Sequence, residues 1–133
     1  MMMINNNKNL DKRKILIADD DDDSREMLAF LLQAEGWEVQ EAKDGKEAIE
    51  KLVEESPDVL ILDNRMPEIT GVELYQQIKE KSINLPVIFA TAYHFPEDLI
   101  ETLGIAYFVT KPYDITDLLN IVESAYTHFH SSV

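Results

Sequence analysis

Five short apolar runs organise the chain, and helical-period segments fill the intervals between them. Ile15-Leu16-Ile17-Ala18 runs straight into acid, the pattern of a strand buried on both faces. Residues 24–35 then place Met27, Leu28, Leu31, Leu32 and Ala34 at helical spacing, with Gly36 as a natural stop. Trp37 to Ala42 alternates between apolar and polar positions, which predicts a strand at a sheet edge. Asp44-Gly45-Lys46-Glu47 has the form of a capping box and opens a helix to Glu55, with Ala48, Ile49, Leu52 and Val53 facing inward and Pro57 ending it. Val59–Leu62 is the next buried strand, followed by Asp63. Thr70-Gly71-Val72-Glu73 is a second capping box, and its helix reaches about Lys81 with Val72, Leu74, Tyr75 and Ile78 available for packing. Val87–Ala90 and Tyr107–Thr110 are the fourth and fifth strands, ending at Thr91 and at Lys111-Pro112. A short helix from Pro96 to Leu103 separates them, and Asp114 caps a last helix carrying Ile115, Leu118, Leu119, Val122, Ala125, Tyr126 and Phe129.

Strands and helices in strict alternation predict an α/β fold, with parallel strands, right-handed crossovers and helices on both sheet faces. No internal repeat, low-complexity segment or interdomain linker interrupts it. The 133 residues fit one domain, at 14–130, and the 45% apolar content supports a core. Residues 1–13 lack periodic apolar positions and read as a mobile tail, and 131–133 as a short C-terminal one.

Charge narrows the partners. The net charge is −14, yet residues 8–14 carry +3, so the rest of the chain holds −17. A phosphate backbone or an anionic membrane surface would ask for a basic footprint, so neither nucleic acid nor membrane is an expected partner. No apolar run approaches the roughly 20 residues of a membrane span. The Met-Met-Met-Ile start continues into Asn and Lys, so no signal peptide is expected and the chain reads as cytoplasmic. With no cysteine there is no disulfide, thiolate metal site or thiol nucleophile.

In an open α/β sheet, ligands gather beyond the carboxyl ends of the strands. Those ends here carry Asp19-Asp20, Asp63, Thr91 and Lys111. Two carboxylates about 4 Å apart repel by roughly 4 kcal/mol at an effective dielectric near 20. Three of them must take up protons, pair with Lys111 or hold a divalent cation, and one lysine cannot neutralise three acids. A small hard cation with oxygen ligands can, and a carboxylate beside Mg²⁺, a lysine and a hydroxyl is equipped to accept a phosphoryl group.

Ile15-Leu-Ile-Ala-Asp19-Asp20, Leu62-Asp63-Asn-Arg-Met66-Pro67, Gly71, Thr91-Ala92 and Lys111-Pro112, in that order, resemble the CheY-like receiver domain of two-component response regulators over residues 14–127. The resemblance implies a flavodoxin-like, doubly wound (βα)5 fold with sheet order 2-1-3-4-5 in three α/β/α layers. It implies that Asp63 is the phosphoacceptor, receiving phosphate from a histidine kinase, a histidine phosphotransfer protein or a small phosphodonor. Asp20, Asp63 and the backbone carbonyl of Arg65 would hold Mg²⁺ (or Mn²⁺), with Asp19 acting largely through water. Lys111 would pair with the Asp63 carboxylate and then with the phosphoryl oxygens. Thr91 would swing inward to the phosphoryl group as Phe108 turns inward, and the Lys111-Pro112 bond would be cis. A downstream effector would read the surface of helix 4, strand 5 and helix 5, as a monomer or through a homodimer on that surface.

Plainer roles compete for several residues. Asp21, Asp22 and Asp23 suit the cap and first turn of a helix, and an EF-hand fails because Ser24 stands at its glycine position and Phe30 where a bidentate Glu belongs. Phe108 reads equally as core, and His94, His128 and His130 as surface or tail. Thr91 and Lys111 stand 20 positions apart, about two fewer than is usual in that family, so the fourth helix should be short or displaced. Arg65 and Tyr93, each two beyond a site residue, would screen the path of attacking water and slow self-dephosphorylation. Four readings use the same residues. A stand-alone receiver is the leading one, a receiver segment of a larger regulator or hybrid kinase the next. A haloacid dehalogenase-type phosphatase would need its nucleophile in Asp-x-Asp after the first strand, and a flavin carrier would set the flavin phosphate against acids.

Overall fold

The first apolar run explains the layering of the molecule. Ile15 and Ile17 point into one core layer and Leu16 and Ala18 into the other, as successive side chains of a strand must. The computed structural model describes residues 12–92 and 97–130. Among them, β1 (Lys14–Ala18), β2 (Glu38–Ala42), β3 (Val59–Leu62), β4 (Val87–Thr91) and β5 (Tyr107–Thr110) alternate with α1 (Asp22–Ala34), α2 (Gly45–Glu55), α3 (Gly71–Glu80), α4 (Glu97–Leu103) and α5 (Ile115–His130). All strand pairs are parallel and the sheet order is β2-β1-β3-β4-β5, as expected. On one face Leu60, Leu62 and Phe89 pack with Leu52 of α2 and Leu74 and Ile78 of α3. On the other Val59, Ile61 and Ile88 pack with Leu28 and Leu32 of α1 and Leu118 and Val122 of α5. Each such aliphatic or aromatic side chain contributes roughly 1.5–3 kcal/mol on burial.

The helix starts follow the local chemistry. Asp21 caps α1, accepting from the Asp23 and Ser24 N–H groups, and Asp22 and Asp23 occupy the first turn, where acids complement the helix dipole. Thr70 and Glu73 form the reciprocal box expected at α3. At α2 Asp44 accepts from the Glu47 N–H, but the Glu47 carboxylate accepts from Lys43 N–H at 3.0 Å rather than from Asp44. Asp114 Oδ1 accepts from Thr116 N–H at 2.8 Å at the start of α5. α4 has 7 residues, the short fourth helix foreseen.

Several inward assignments need correction. Met27 is 62% and Val53 65% exposed, and Ala34 is exposed as well. On α1 the buried stripe is Arg25, Leu28, Ala29 and Leu32, and one helical step of about 100° turns Met27 out of it. Val53 stands one step past buried Leu52 in the same way. Trp37 is buried but precedes its strand, which begins at Glu38. Phe108 is 45% exposed on the edge strand β5, so it is not a core residue. Arg13, assigned to the tail from sequence, engages the fold. Its carbonyl accepts from Glu38 N–H, its guanidinium forms two bonds to the Glu123 carboxylate at 3.2 and 2.7 Å, and it lies 4.6 Å from the ring centroids of both Trp37 and Tyr126. Tyr93, His94 and Pro96 lie outside the described residues. Among the described residues no helix is long and apolar enough to cross a membrane.

Candidate functional site

Hydrogen bonds that continue past the strand ends assemble the site. Asp19 N–H donates to the Ala42 carbonyl, Asp63 N–H to the Ala18 carbonyl and Lys111 N–H to the Thr91 carbonyl, each at 2.9–3.0 Å. Three residues far apart in sequence are thereby carried to one edge by the ladder itself. Asp19 and Asp63 are buried and Asp20 exposed. One carboxylate oxygen from each lies within 4.8 Å of the others.

Each buried carboxylate is oriented locally. Asp19 Oδ1 accepts from Asp21 N–H at 3.0 Å, and Asp63 Oδ1 from Arg65 N–H at 3.1 Å. Their second oxygens converge on Lys111 Nζ, at 2.8 Å for Asp19 and 3.3 Å for Asp63. The expected partner of Lys111 was Asp63; the shorter bond goes to Asp19. Behind Asp63, Asn64 Oδ1 accepts from Val72 N–H, and the Asn64 carbonyl accepts from Gly71 N–H. A Cβ on Gly71 would stand 2.8 Å from the Asp63 carbonyl oxygen and from Asn64 Cα, so only glycine lets α3 approach this closely.

Burial pushes the Asp19 carboxyl above its ordinary range, against the hydrogen bonds from Lys111 and Asp21. For Lys111 burial works in the opposite sense, yet the hydrogen bond and charge of Asp19 and the charge of Asp63 outweigh it, so its ammonium is held above the usual lysine value. Burial also raises the phenol of Tyr113, near the same charges. Three carboxylates against one ammonium leave a surplus of negative charge among oxygen donors, one of them open to solvent. This is the donor set of a hard divalent cation that keeps part of its water.

The remaining expected residues fall around this crevice. Thr91 is 1% exposed at the end of β4, and Arg65 is exposed on the loop after β3. The Lys111-Pro112 peptide is cis. His128 and His130 are exposed on α5, away from the strand ends that carry the acids.

Sequence reasoning missed Arg25. It is 9% exposed, donates from Nη1 to the Asp19 carbonyl at 2.7 Å, and reaches Asp22 at 2.7 Å and Glu41 at 3.0 Å. Its place in the Leu28–Leu32 stripe of α1 was the available signal, because an arginine on a buried stripe needs partners.

The family description "Response regulator receiver domain" matches residues 15–123. The chain belongs to this family. It is a receiver domain of two-component systems, a class that works in signalling, binds Mg²⁺ in an acidic pocket and interacts with histidine kinases and downstream effectors. Among curated proteins it is 35% identical over 95 residues to the transcriptional regulatory protein TrcR of Mycobacterium tuberculosis, covering 70% of this chain and 37% of that protein. The chain thus spans well under half the length of this relative. Among solved structures it is similar to the Francisella response regulator 1452 receiver domain, at 31% identity and TM-score 0.81, covering 88% and 98% of the two chains. It is also similar to the response regulator TrrA of Thermotoga maritima, solved in complex with Mg(2+)-BeF, at 34% identity and TM-score 0.77, covering 85% and 98%.

Proposed function

We propose that this receiver accepts a phosphoryl group on Asp63 and uses it to change the surface formed by α4, β5 and α5. The observation that carries this reading is the meeting of three carboxylates within 4.8 Å, two of them bridged by Lys111 Nζ. An Asp63 carboxylate oxygen attacks the phosphorus of the donor. The bond from phosphorus to the leaving group breaks, the leaving group keeps that electron pair, and an aspartyl phosphate results. The donor is the phosphohistidine of a kinase or phosphotransfer protein, or a small acyl phosphate. Asp20, Asp63 and the Arg65 carbonyl are the residues to hold Mg²⁺ or Mn²⁺, with Asp19 acting through water. When bound, the ion supplies neutralisation of charge on the phosphoryl oxygens.

The chain's own groups do the rest. Lys111 exchanges carboxylate for phosphoryl oxygens, and the Thr91 hydroxyl donates to the phosphoryl group. Phe108, exposed on β5 beside the strand that carries Thr91, would turn inward with that movement and alter what an effector protein meets. By their sequence positions, two beyond Asp63 and two beyond Thr91, Arg65 and Tyr93 are the residues to screen the aspartyl phosphate from water and so lengthen its life. Arg65→Ala combined with Tyr93→Ala should shorten its lifetime; an unchanged lifetime removes the screening idea.

The test is incubation with acetyl phosphate and Mg²⁺ followed by intact mass. The wild type should gain one phosphoryl group and Asp63→Asn none. No gain, or equal gain in Asp63→Asn, refutes the mechanism.

A further inference from the structure

Arg25 contacts none of the three crevice carboxylates, yet it is bound to the main chain that presents two of them. Its Nη1 donates at 2.7 Å to the carbonyl of Asp19, the peptide unit that joins Asp19 to Asp20. Its Nε is fixed by Glu41 at the end of β2 and its Nη2 by Asp22 in the first turn of α1. The side chain is 11% exposed, so little water competes for its buried bond to the Asp19 carbonyl, while Glu41 and Asp22 are more open at 38% and 71%. Asp19 N–H is meanwhile bound to the Ala42 carbonyl of the same edge strand. Both sides of the Asp19 backbone are therefore tied to β2, one directly and one through the guanidinium.

We infer that Arg25 is a positioning residue for the divalent cation, fixing the Asp19–Asp20 turn so that both carboxylates face Asp63. This inference rests on the cation site proposed above. Its charge is not the active element: Asp22 and Glu41 offset it, and a positive charge near the crevice opposes a cation. The geometry of the planar fork matters, since three acceptors in three directions suit a guanidinium and not a single ammonium. Outer residues of this kind change metal affinity by roughly 10- to 100-fold when removed.

The experiment measures Mn²⁺ binding to the full chain by electron paramagnetic resonance, well below each variant's melting temperature, with circular dichroism to verify folding. Arg25→Lys and Arg25→Ala should each weaken Mn²⁺ about tenfold or more, and free methylguanidinium should restore affinity to Arg25→Ala. Val122→Ala, which loosens the core on α5 without touching the turn, should bind as the wild type does. Should both Arg25 variants fail to fold, Glu41→Gln decides, with a several-fold loss expected. Wild-type affinity in Arg25→Lys, in both Arg25 variants or in a deciding Glu41→Gln overturns the inference, as does a loss in Val122→Ala equal to that in Arg25→Ala. If the wild type itself binds no Mn²⁺, the cation site fails and this inference falls with it, a result distinct from an unaltered Arg25 variant.

Discussion

At the amino end of the sheet, Arg13 lies against the paired rings of Trp37 and Tyr126 and forms two bonds to Glu123. At the carboxyl end, Lys111 faces Asp19 and Asp63 with Asp20 close by. The first cluster matches one cation with one anion and two aromatic faces, and serves to fasten the start of β1 to α5. The second holds more negative charge than its lysine can match, and leaves one carboxylate exposed. Matched charge in a fold fastens elements together, while a surplus held in place by main-chain bonds marks a site with further chemistry.

The largest effect should come from taking away Lys111, the lysine that bridges Asp19 and Asp63. Lys111→Ala strands two buried carboxylates, and loss of one partner of a buried pair costs about 3 kcal/mol. Chemical denaturation at neutral pH in a chelator should show that loss, and added Mg²⁺ should recover part of it. The alkaline limb gives the sign. Because the folded lysine sits above its ordinary value of 10.5, its contribution is complete below that pH and fades as pH rises through the raised value. The gap between wild type and variant should therefore close only in strong alkali.

Removing an acid should then have opposite consequences at the two ends. Asp20→Asn relieves repulsion and should stabilise the Mg²⁺-free protein by about 1 kcal/mol, read as a higher melting temperature. Glu123→Gln, which loses a partly exposed pair to Arg13, should lower stability by about 0.5 kcal/mol. A drop for Asp20→Asn as large as that for Glu123→Gln would erase the distinction between the clusters.

How far these features could be read in advance depended on their physical origin. Periodicity was enough for the strands and helices, whereas the sheet order came from the resemblance to receiver domains, because buried runs such as Ile15–Ala18 and Val59–Leu62 mark strands covered on both faces without ordering them. The convergence of Asp19, Asp63 and Lys111 was legible too, since each sits directly after a strand, the first two after buried ones and Lys111 after the edge strand β5. What escaped were interactions decided by which way a long side chain turns. Arg13 looks like a surface group in sequence, and for Arg25 the stripe of α1 signals burial but not its partners; the positions of Trp37, Tyr126 and Glu41 in space make both structural. Met27 and Val53 were misplaced by one helical step, an angle that apolar spacing alone does not resolve.

The central claim, that surplus charge at the carboxyl end constitutes a divalent-cation site, is tested most directly by calorimetric titration of Mg²⁺ into the wild type, Asp20→Asn and Arg13→Ala. One ion per chain should bind to the wild type and to Arg13→Ala with similar affinity, and binding should be lost or greatly weakened in Asp20→Asn. Absence of saturable binding to the wild type, or full binding to Asp20→Asn, would contradict the claim.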